Sequence, residues 1–153
     1  MVEIIVTELP EQPTACIREI VAVHAMPQFF ERTFHAVLAV LQEQGLAPAG
    51  PPYAIYYRMP TDTVDVAAGF PVTGPVEPSG EVWPGTLPGG RTYEAVHVGP
   101  YDAMQPVYHA ILQRMTADDE VPADVMWEQY LSDPAEEPDP ARWRTRVGWP
   151  VRR

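Results

Sequence analysis

Apolar residues occur mostly in short runs, and they follow a helical period in two places. Over residues 27–45, apolar side chains recur at intervals of three and four, which predicts an amphipathic helix that ends at Gly45. A second helix is predicted from about residue 102 to 115, with Asp102 as its N-terminal cap. Runs rich in Val, Ile and aromatic residues predict strands at 3–7, 15–23, 53–59, 64–72, 81–87, 92–98, 125–131 and 142–151.

Three short sequences recur in the same order along the chain. Val23-His24 matches Val96-His97, and residues 34–38 match residues 108–112. Residues 69–72 match residues 148–151 at a larger offset, which indicates an insertion around residues 133–140. We therefore expect an α+β fold made by tandem duplication of a strand-helix-strand-strand unit, with antiparallel sheets and one main helix per half.

The predicted repeats extend over about residues 1–74 and 80–153 of a single domain, 1–153. Residues 75–80 form the joint between them, and the acidic, proline-rich residues 132–140 are expected to be a surface loop. A pseudo-two-fold arrangement would leave a groove where the halves meet, and such a groove is the natural place for a ligand.

Charge and cysteine content exclude several classes of function. The net charge of −11 disfavours direct contact with nucleic acid, and all ten basic residues are Arg, which excludes lysine Schiff-base chemistry. Cys16 is the only cysteine and is expected to be a buried apolar residue, so neither an intrachain disulfide nor a cysteine zinc site is expected. Without a signal peptide or a membrane span, the protein is expected to be cytoplasmic.

The candidate chemistry centres on the predicted strand at 125–131. Glu128 and Tyr130 are two residues apart and therefore lie on the same face of a strand. In apolar surroundings Glu128 would bind a cation or accept a proton, whereas the alternative is a solvated carboxylate. We expect core packing for Phe30, Phe34 and Tyr108 on the helices. For the strand aromatics, pocket and core positions both remain open.

Other catalytic arrangements find little support. His24 and His97 are related by the repeat, as are His35 and His109, so duplication explains them better than a metal cluster does. The spacing of the histidines is not that of a zinc site, and neither Ser79 nor Ser132 lies in a nucleophile elbow. We expect no metal and no cofactor.

Four segments carry a resemblance to a known family. They are Leu-Pro-Gly-Gly-Arg at 87–91, Val-His-Val-Gly-Pro-Tyr-Asp-Ala-Met at 96–104, Trp-Glu-Gln-Tyr-Leu-Ser-Asp-Pro at 127–134, and residues 145–151. In these segments the chain resembles the GyrI-like small-molecule-binding domain, the effector-binding domain of multidrug-responsive transcription regulators. The resemblance implies an aromatic pocket that binds lipophilic cations around a central glutamate, with Glu128 and Tyr130 at the matching positions.

The resemblance leads to two main hypotheses. The first is a stand-alone binding protein for flat hydrophobic, often cationic compounds, with no helix-turn-helix domain and no direct nucleic-acid contact. Its ligand-binding residues are expected to be Glu128, Tyr130, Tyr56, Trp83, Phe70, Tyr101, Trp149 and Met104. The second is a hydrolase that opens cyclopropane rings of DNA-alkylating natural products, as some stand-alone family members do, with Glu128 and Tyr130 as catalytic residues and Tyr56 as an alternative to Tyr130.

A third hypothesis, an inhibitor that docks on a protein target, fits the acidic surface but has no motif to support it. We expect a monomer or a dimer. Turnover distinguishes the hydrolase from the binding protein.

Overall fold

The computed structural model describes residues 2–133 and 135–152, and these contain two α-helices and eight β-strands. Pro134, in the predicted surface loop, lies outside the described residues. The elements in chain order are β1 (Ile4–Leu9), β2 (Gln12–Ala22), α1 (Met26–Glu43), β3 (Tyr53–Tyr56), β4 (Thr63–Pro71), β5 (Trp83–Leu87), β6 (Gly90–Val98), α2 (Gln105–Ala117), β7 (Met126–Tyr130) and β8 (Arg144–Pro150). The predicted α+β class with antiparallel strands is confirmed.

The chain forms two compact units. The internal unit comprises Glu11–Pro88, and the terminal unit comprises residues 2–10 together with the described part of 89–152. The internal unit has a sheet in the order β5-β2-β4-β3, and α1 packs on β2 and β4. The terminal unit has a sheet in the order β1-β6-β8-β7, and α2 packs on β6 and β8. All pairs within each sheet are antiparallel.

Each unit, considered by itself, has the same order of elements. A long strand is followed by a helix, a short strand and a last strand, and the last strand pairs with the long strand and with the short strand. Gly69 lies opposite Tyr53 in the internal unit, and Gly148 lies opposite Trp127 in the terminal unit. A Cβ atom at Gly69 would collide with the backbone of Ala15, and one at Gly148 with the indole of Trp127. Both positions therefore require glycine because of close packing.

Each unit has its own apolar core between its sheet and its helix. In the terminal unit, Tyr93, Ala95 and Val147 of the sheet pack with Ile111 and Met115 of α2. Ile4 and Val6 of β1 pack against this cluster, because alternate residues of a strand share a face. In the internal unit the buried residues of α1 are Phe29, Thr33, Val37, Val40 and Leu41. Their spacing of three and four is the one expected for a helix that packs on a sheet.

Element boundaries differ from the predicted ones mainly at proline-rich turns. The first helix ends two residues before Gly45, which adopts a positive φ of 70°. The second helix begins at Gln105, after a 3-10 turn at Tyr101–Ala103, so the predicted Asp102 cap is wrong: Met104 occupies the cap position without a side-chain hydrogen bond. The last strand begins at Arg144 because Pro140–Arg142 forms another 3-10 turn, capped by Asp139.

Cys16 is buried, as predicted, and burial raises the pKa of its thiol. Neither α1 nor α2, the two α-helices of the described residues, is long and apolar enough to cross a membrane. The described part of the chain also contains no group of three or more His, Cys, Asp or Glu side chains placed to hold a metal ion.

Candidate functional site

Glu128 lies on the face of the terminal sheet that α2 covers. In the register of β7 and β8, Glu128 is opposite Val147 and Tyr130 is opposite Thr145. Opposite residues in an antiparallel pair project to the same face, and Val147 belongs to the core cluster that packs on α2. Glu128 is only 6% exposed, so its carboxylate is removed from bulk solvent.

Two tyrosine hydroxyls donate hydrogen bonds to the Glu128 carboxylate. The Tyr130 hydroxyl donates to Oε1 at 3.0 Å, and the Tyr108 hydroxyl of α2 donates to Oε2. Hydrogen bonds from neutral donors offset part of the cost of burying a carboxylate, and they also fix its orientation. The first turns of α2 therefore supply a polar group to a site whose other members lie on β7.

From the sequence, Tyr108 was predicted to lie in the core, and its hydrogen bond to Glu128 was not predicted. The available signal was the sequence match between residues 34–38 and 108–112, in which Tyr108 aligns with Phe34. The additional hydroxyl is the atom that donates to Glu128. The hydroxyl of a half-buried tyrosine usually has a hydrogen-bond partner, so a tyrosine at this position indicates a polar neighbour.

Aromatic rings lie beside this buried carboxylate. The ring of Tyr101 meets Tyr130 edge to face at 5.6 Å between centroids and stacks on Trp143 at 4.8 Å. The Trp143 indole Nε1 donates to the Glu137 carbonyl at 2.6 Å, which fixes the plane of its ring. Tyr101 is 40% exposed, so this aromatic pair is partly accessible to solvent. Trp143, like Tyr108, was not among the predicted site residues.

The electrostatic environment of Tyr101 is negative. Burial raises the pKa of Tyr101, and the charges of Asp133 and Glu128 raise it further. The Tyr101 phenol is neutral and therefore does not compensate the negative charge of these two carboxylates. A positively charged group near this ring would interact favourably with both acids.

A row of polar side chains crosses the same face next to Glu128. His97, Thr145 and Tyr130 are neighbours on β6, β8 and β7. The His97 ring nitrogen Nε2 is 2.9 Å from the Pro100 carbonyl oxygen and donates to it, since a carbonyl can only accept. The Thr145 hydroxyl is fully buried, and none of the residues that the structure describes forms a hydrogen bond with it. The helix-covered face is thus polar at this end and apolar at the end occupied by Tyr93 and Trp149.

The structure brings together three of the predicted site residues, Glu128, Tyr130 and Tyr101. Met104 and Trp149 lie in the core cluster of the terminal unit, where the Trp149 indole donates to the Ala123 carbonyl at 3.1 Å. The remaining three belong to the internal unit.

Those three residues have different surroundings. Phe70 is buried and contacts the edge of Phe34 at 5.7 Å between centroids. Tyr56 is half-buried at the end of β3. Trp83 on β5 is 58% exposed and pairs with Cys16, on the sheet face opposite to the one that α1 covers.

The sequence matches one family model along nearly its whole length. The model describes the GyrI-like small molecule binding domain and aligns with residues 2–152. The chain belongs to the GyrI-like family. This membership confirms the resemblance seen in the Gly-Pro-Tyr-Asp and Glu-x-Tyr segments. A search among curated proteins gave no match to this GyrI-like chain.

Several solved structures share the fold of this GyrI-like domain. The crystal structure of the EcmrR C-terminal domain has a TM-score of 0.83 at 17% identity, covering 100% of this chain and 99% of that one. In the cryo-EM structure of an EcmrR-DNA complex the TM-score is 0.86 at 19% identity, and this chain, covered over 99% of its length, spans 58% of the EcmrR chain.

Two further solved structures are also similar to this chain. A hydrolase from Listeria innocua has a TM-score of 0.70 at 14% identity, with 98% of this chain and 92% of that chain covered. SAV2435, solved with tetraphenylphosphonium, has a TM-score of 0.63 at 12% identity, with coverage of 98% and 94%. At these identities the likeness establishes the fold.

Proposed function

We propose that this GyrI-like domain binds flat hydrophobic, often cationic small molecules at the Glu128 site of the terminal unit. The observation that carries the proposal is a buried carboxylate, held by two tyrosine hydroxyls, next to the partly exposed stack of Tyr101 and Trp143. Binding to a lipophilic cation requires both a negative charge and aromatic surface.

The physical basis is the cost of burying charge. A carboxylate removed from water interacts more strongly with a cation than an exposed one does, because the local dielectric constant is lower. The Tyr108 and Tyr130 hydroxyls keep the carboxylate oriented while no cation is bound. The face of an aromatic ring adds attraction for a cation and excludes water from it.

The internal unit has alanine, not glutamate, at the position that corresponds to Glu128. Counted along the repeat, Phe34, Ala54 and Tyr56 correspond to Tyr108, Glu128 and Tyr130, and Ala54 lies opposite Ala68 as Glu128 lies opposite Val147. We infer that the units arose by duplication and that the carboxylate site belongs to the terminal unit.

The structural neighbours agree with a ligand-binding role. SAV2435 was solved with tetraphenylphosphonium, a lipophilic cation. EcmrR was solved with DNA, but this chain corresponds to 58% of that protein, and its charge of −11 disfavours DNA contact. We propose that small molecules, rather than DNA, are the partners of this chain.

Calorimetric titration with tetraphenylphosphonium tests the proposal. We expect Glu128→Gln to weaken binding about tenfold, because the charge is lost while the shape is kept. The matched control is Glu94→Gln, which neutralises a half-buried glutamate on the opposite face of the same sheet and should leave the affinity within about twofold. Equal affinity of wild type and Glu128→Gln would remove Glu128 from the site.

A hydrolase is the second candidate, and the two phenols on Glu128 favour it. In a cyclopropyl-dienone substrate, Glu128 would take a proton from water while the oxygen of that water forms a bond to a cyclopropane carbon. The strained C–C bond breaks, and its electron pair passes through the ring to the carbonyl oxygen, where Tyr130 or Tyr108 supplies the proton of the phenol product. The fold shared with a Listeria hydrolase is consistent with this chemistry.

Product analysis separates the two functions. A hydrolase consumes a cyclopropyl-dienone alkylator over many turnovers and forms the ring-opened phenol, whereas a binding protein consumes at most a stoichiometric amount. We expect Glu128→Gln to abolish turnover, and Tyr130→Phe to lower kcat more than it raises KM. Turnover that survives in Glu128→Gln would contradict the catalytic role of Glu128.

A further inference from the structure

One buried hydroxyl next to the Glu128 site is unexplained by packing. Thr145 is fully buried on β8, and within residues 2–133 and 135–152 its hydroxyl has no hydrogen-bond partner. A buried polar group without a partner destabilises the folded protein, so its presence needs a reason. The neighbours on both sides have partners: His97 donates to the Pro100 carbonyl, and Tyr130 donates to Glu128.

An apolar residue of the same shape would fit at this position. The corresponding position of the internal unit is Val66, which lies opposite Glu19 and Tyr56 as Thr145 lies opposite His97 and Tyr130. Val66 is fully buried. Valine and threonine have nearly the same volume, so the terminal unit carries a hydroxyl that packing alone does not require.

The hydroxyl lies close to the carboxylate across the sheet. Glu128 is opposite Val147, two residues along β8 from Thr145, and both side chains project to the face that α2 covers. Such diagonal neighbours are about 7–8 Å apart, with their Cβ atoms somewhat closer, a separation that one substituted aromatic ring can span. A molecule whose positive end meets Glu128 can therefore reach Thr145 with its other end.

We propose that Thr145 is a second polar anchor of the ligand site, and that its hydroxyl donates a hydrogen bond to an oxygen acceptor on the ligand. The inference rests on the proposed binding function and narrows the ligand class. The preferred ligand is an aromatic cation that carries a carbonyl or similar oxygen across the ring from its positive group.

Two matched probes test this inference on the full chain. They are (4-acetylphenyl)trimethylammonium and (4-isopropenylphenyl)trimethylammonium, which have the same charge and nearly the same size and differ in the carbonyl oxygen. We expect wild type to bind the ketone about three- to tenfold more tightly than the alkene in calorimetric titration, the range of one neutral hydrogen bond. Thr145→Val should remove that preference and leave the affinity for the alkene within about twofold.

The control variant is Thr33→Val, which removes a buried hydroxyl of the internal unit that also has no hydrogen-bond partner in the described part of the chain. It should keep the preference for the ketone. Thermal unfolding verifies that both variants are folded, as the valine at position 66 leads us to expect for Thr145→Val.

The outcomes separate this inference from the function on which it rests. Binding that depends on Glu128, without a preference for the ketone, contradicts the role of Thr145 alone. A preference that persists in Thr145→Val, or an equal loss of affinity for both probes, also overturns it, because the hydroxyl then acts elsewhere. If neither probe binds to wild type, both the Glu128 site and the second anchor are wrong.

Discussion

A hydroxyl buried in an apolar core lowers the free energy of unfolding when it makes no hydrogen bond. Thr33 of the internal unit is an example to which we assign no ligand. Its side chain is fully buried on α1, and its hydroxyl has no hydrogen-bond partner among the described residues. The corresponding residue of α2 is Val107, which is also buried. We expect Thr33→Val to raise the free energy of unfolding by about 1 kcal/mol, because valine removes a desolvated polar group and keeps the volume.

Urea denaturation followed by circular dichroism measures this change. The reverse substitution, Val107→Thr, serves as the control and should lower the free energy of unfolding by a similar amount. A destabilised Thr33→Val would show that the hydroxyl makes a favourable interaction in the folded state.

At the scale of elements, one hydrogen-bond cluster ties the end of α2 to β6. The Tyr93 hydroxyl donates to the Asp118 carboxylate at 2.7 Å, and Arg114 donates to the same oxygen at 3.1 Å. The Tyr93 hydrogen bond, with a further contribution from Arg114, holds the pKa of Asp118 below its ordinary value of 3.8. A depressed carboxyl pKa stabilises the folded state at neutral pH, and this contribution is lost as the pH falls below about 4.

The pH dependence of stability tests this cluster. Between pH 6 and pH 3, we expect the urea midpoint of Asp118→Asn to fall less steeply than that of wild type, because the amide does not titrate. Tyr93→Phe should also flatten the curve while it retains the ion pair with Arg114. Parallel curves for wild type and Asp118→Asn would show that the pKa of Asp118 is not lowered by folding.

The elements themselves were largely predictable, because hydrophobic period and glycine positions are local signals. Both helices and all eight strands lie where the pattern indicated, within a few residues. The errors occur at turns such as Tyr101–Ala103, where proline and 3-10 geometry override a capping signal. Strand pairing was beyond reach, since β1 pairs with β6 (Gly90–Val98), which is distant from it in sequence.

The candidate site was predictable only in part. Alternation along β7 correctly placed Glu128 and Tyr130 on one face. That this face packs on α2, and that Tyr108 and Trp143 take part, depends on packing between elements that are distant in sequence. The sequence match between the two helical segments held a hint, because Tyr108 aligns with Phe34 and, at the same offset, Glu128 aligns with Ala54.

At the scale of the whole molecule, the charge of −11 acts on any ion that approaches. A negative protein attracts cations over roughly the Debye length, which is about 30 Å at 0.01 M salt and about 3 Å at 1 M. If a cation binds as proposed, we expect the net charge to set the rate of association and Glu128 to set how long the bound cation stays. The two contributions respond differently to salt.

Stopped-flow fluorescence with tetraphenylphosphonium separates them, with Trp143 beside the site as the reporter. We expect the association rate constant of wild type to fall about threefold or more between 20 mM and 500 mM NaCl. Glu128→Gln changes the net charge only from −11 to −10, so it should keep nearly the same dependence on salt while its dissociation rate rises. If this single substitution removed the salt dependence, the attraction would come from Glu128 itself rather than from the charge of the molecule, and the other acidic residues would have no part in ligand capture.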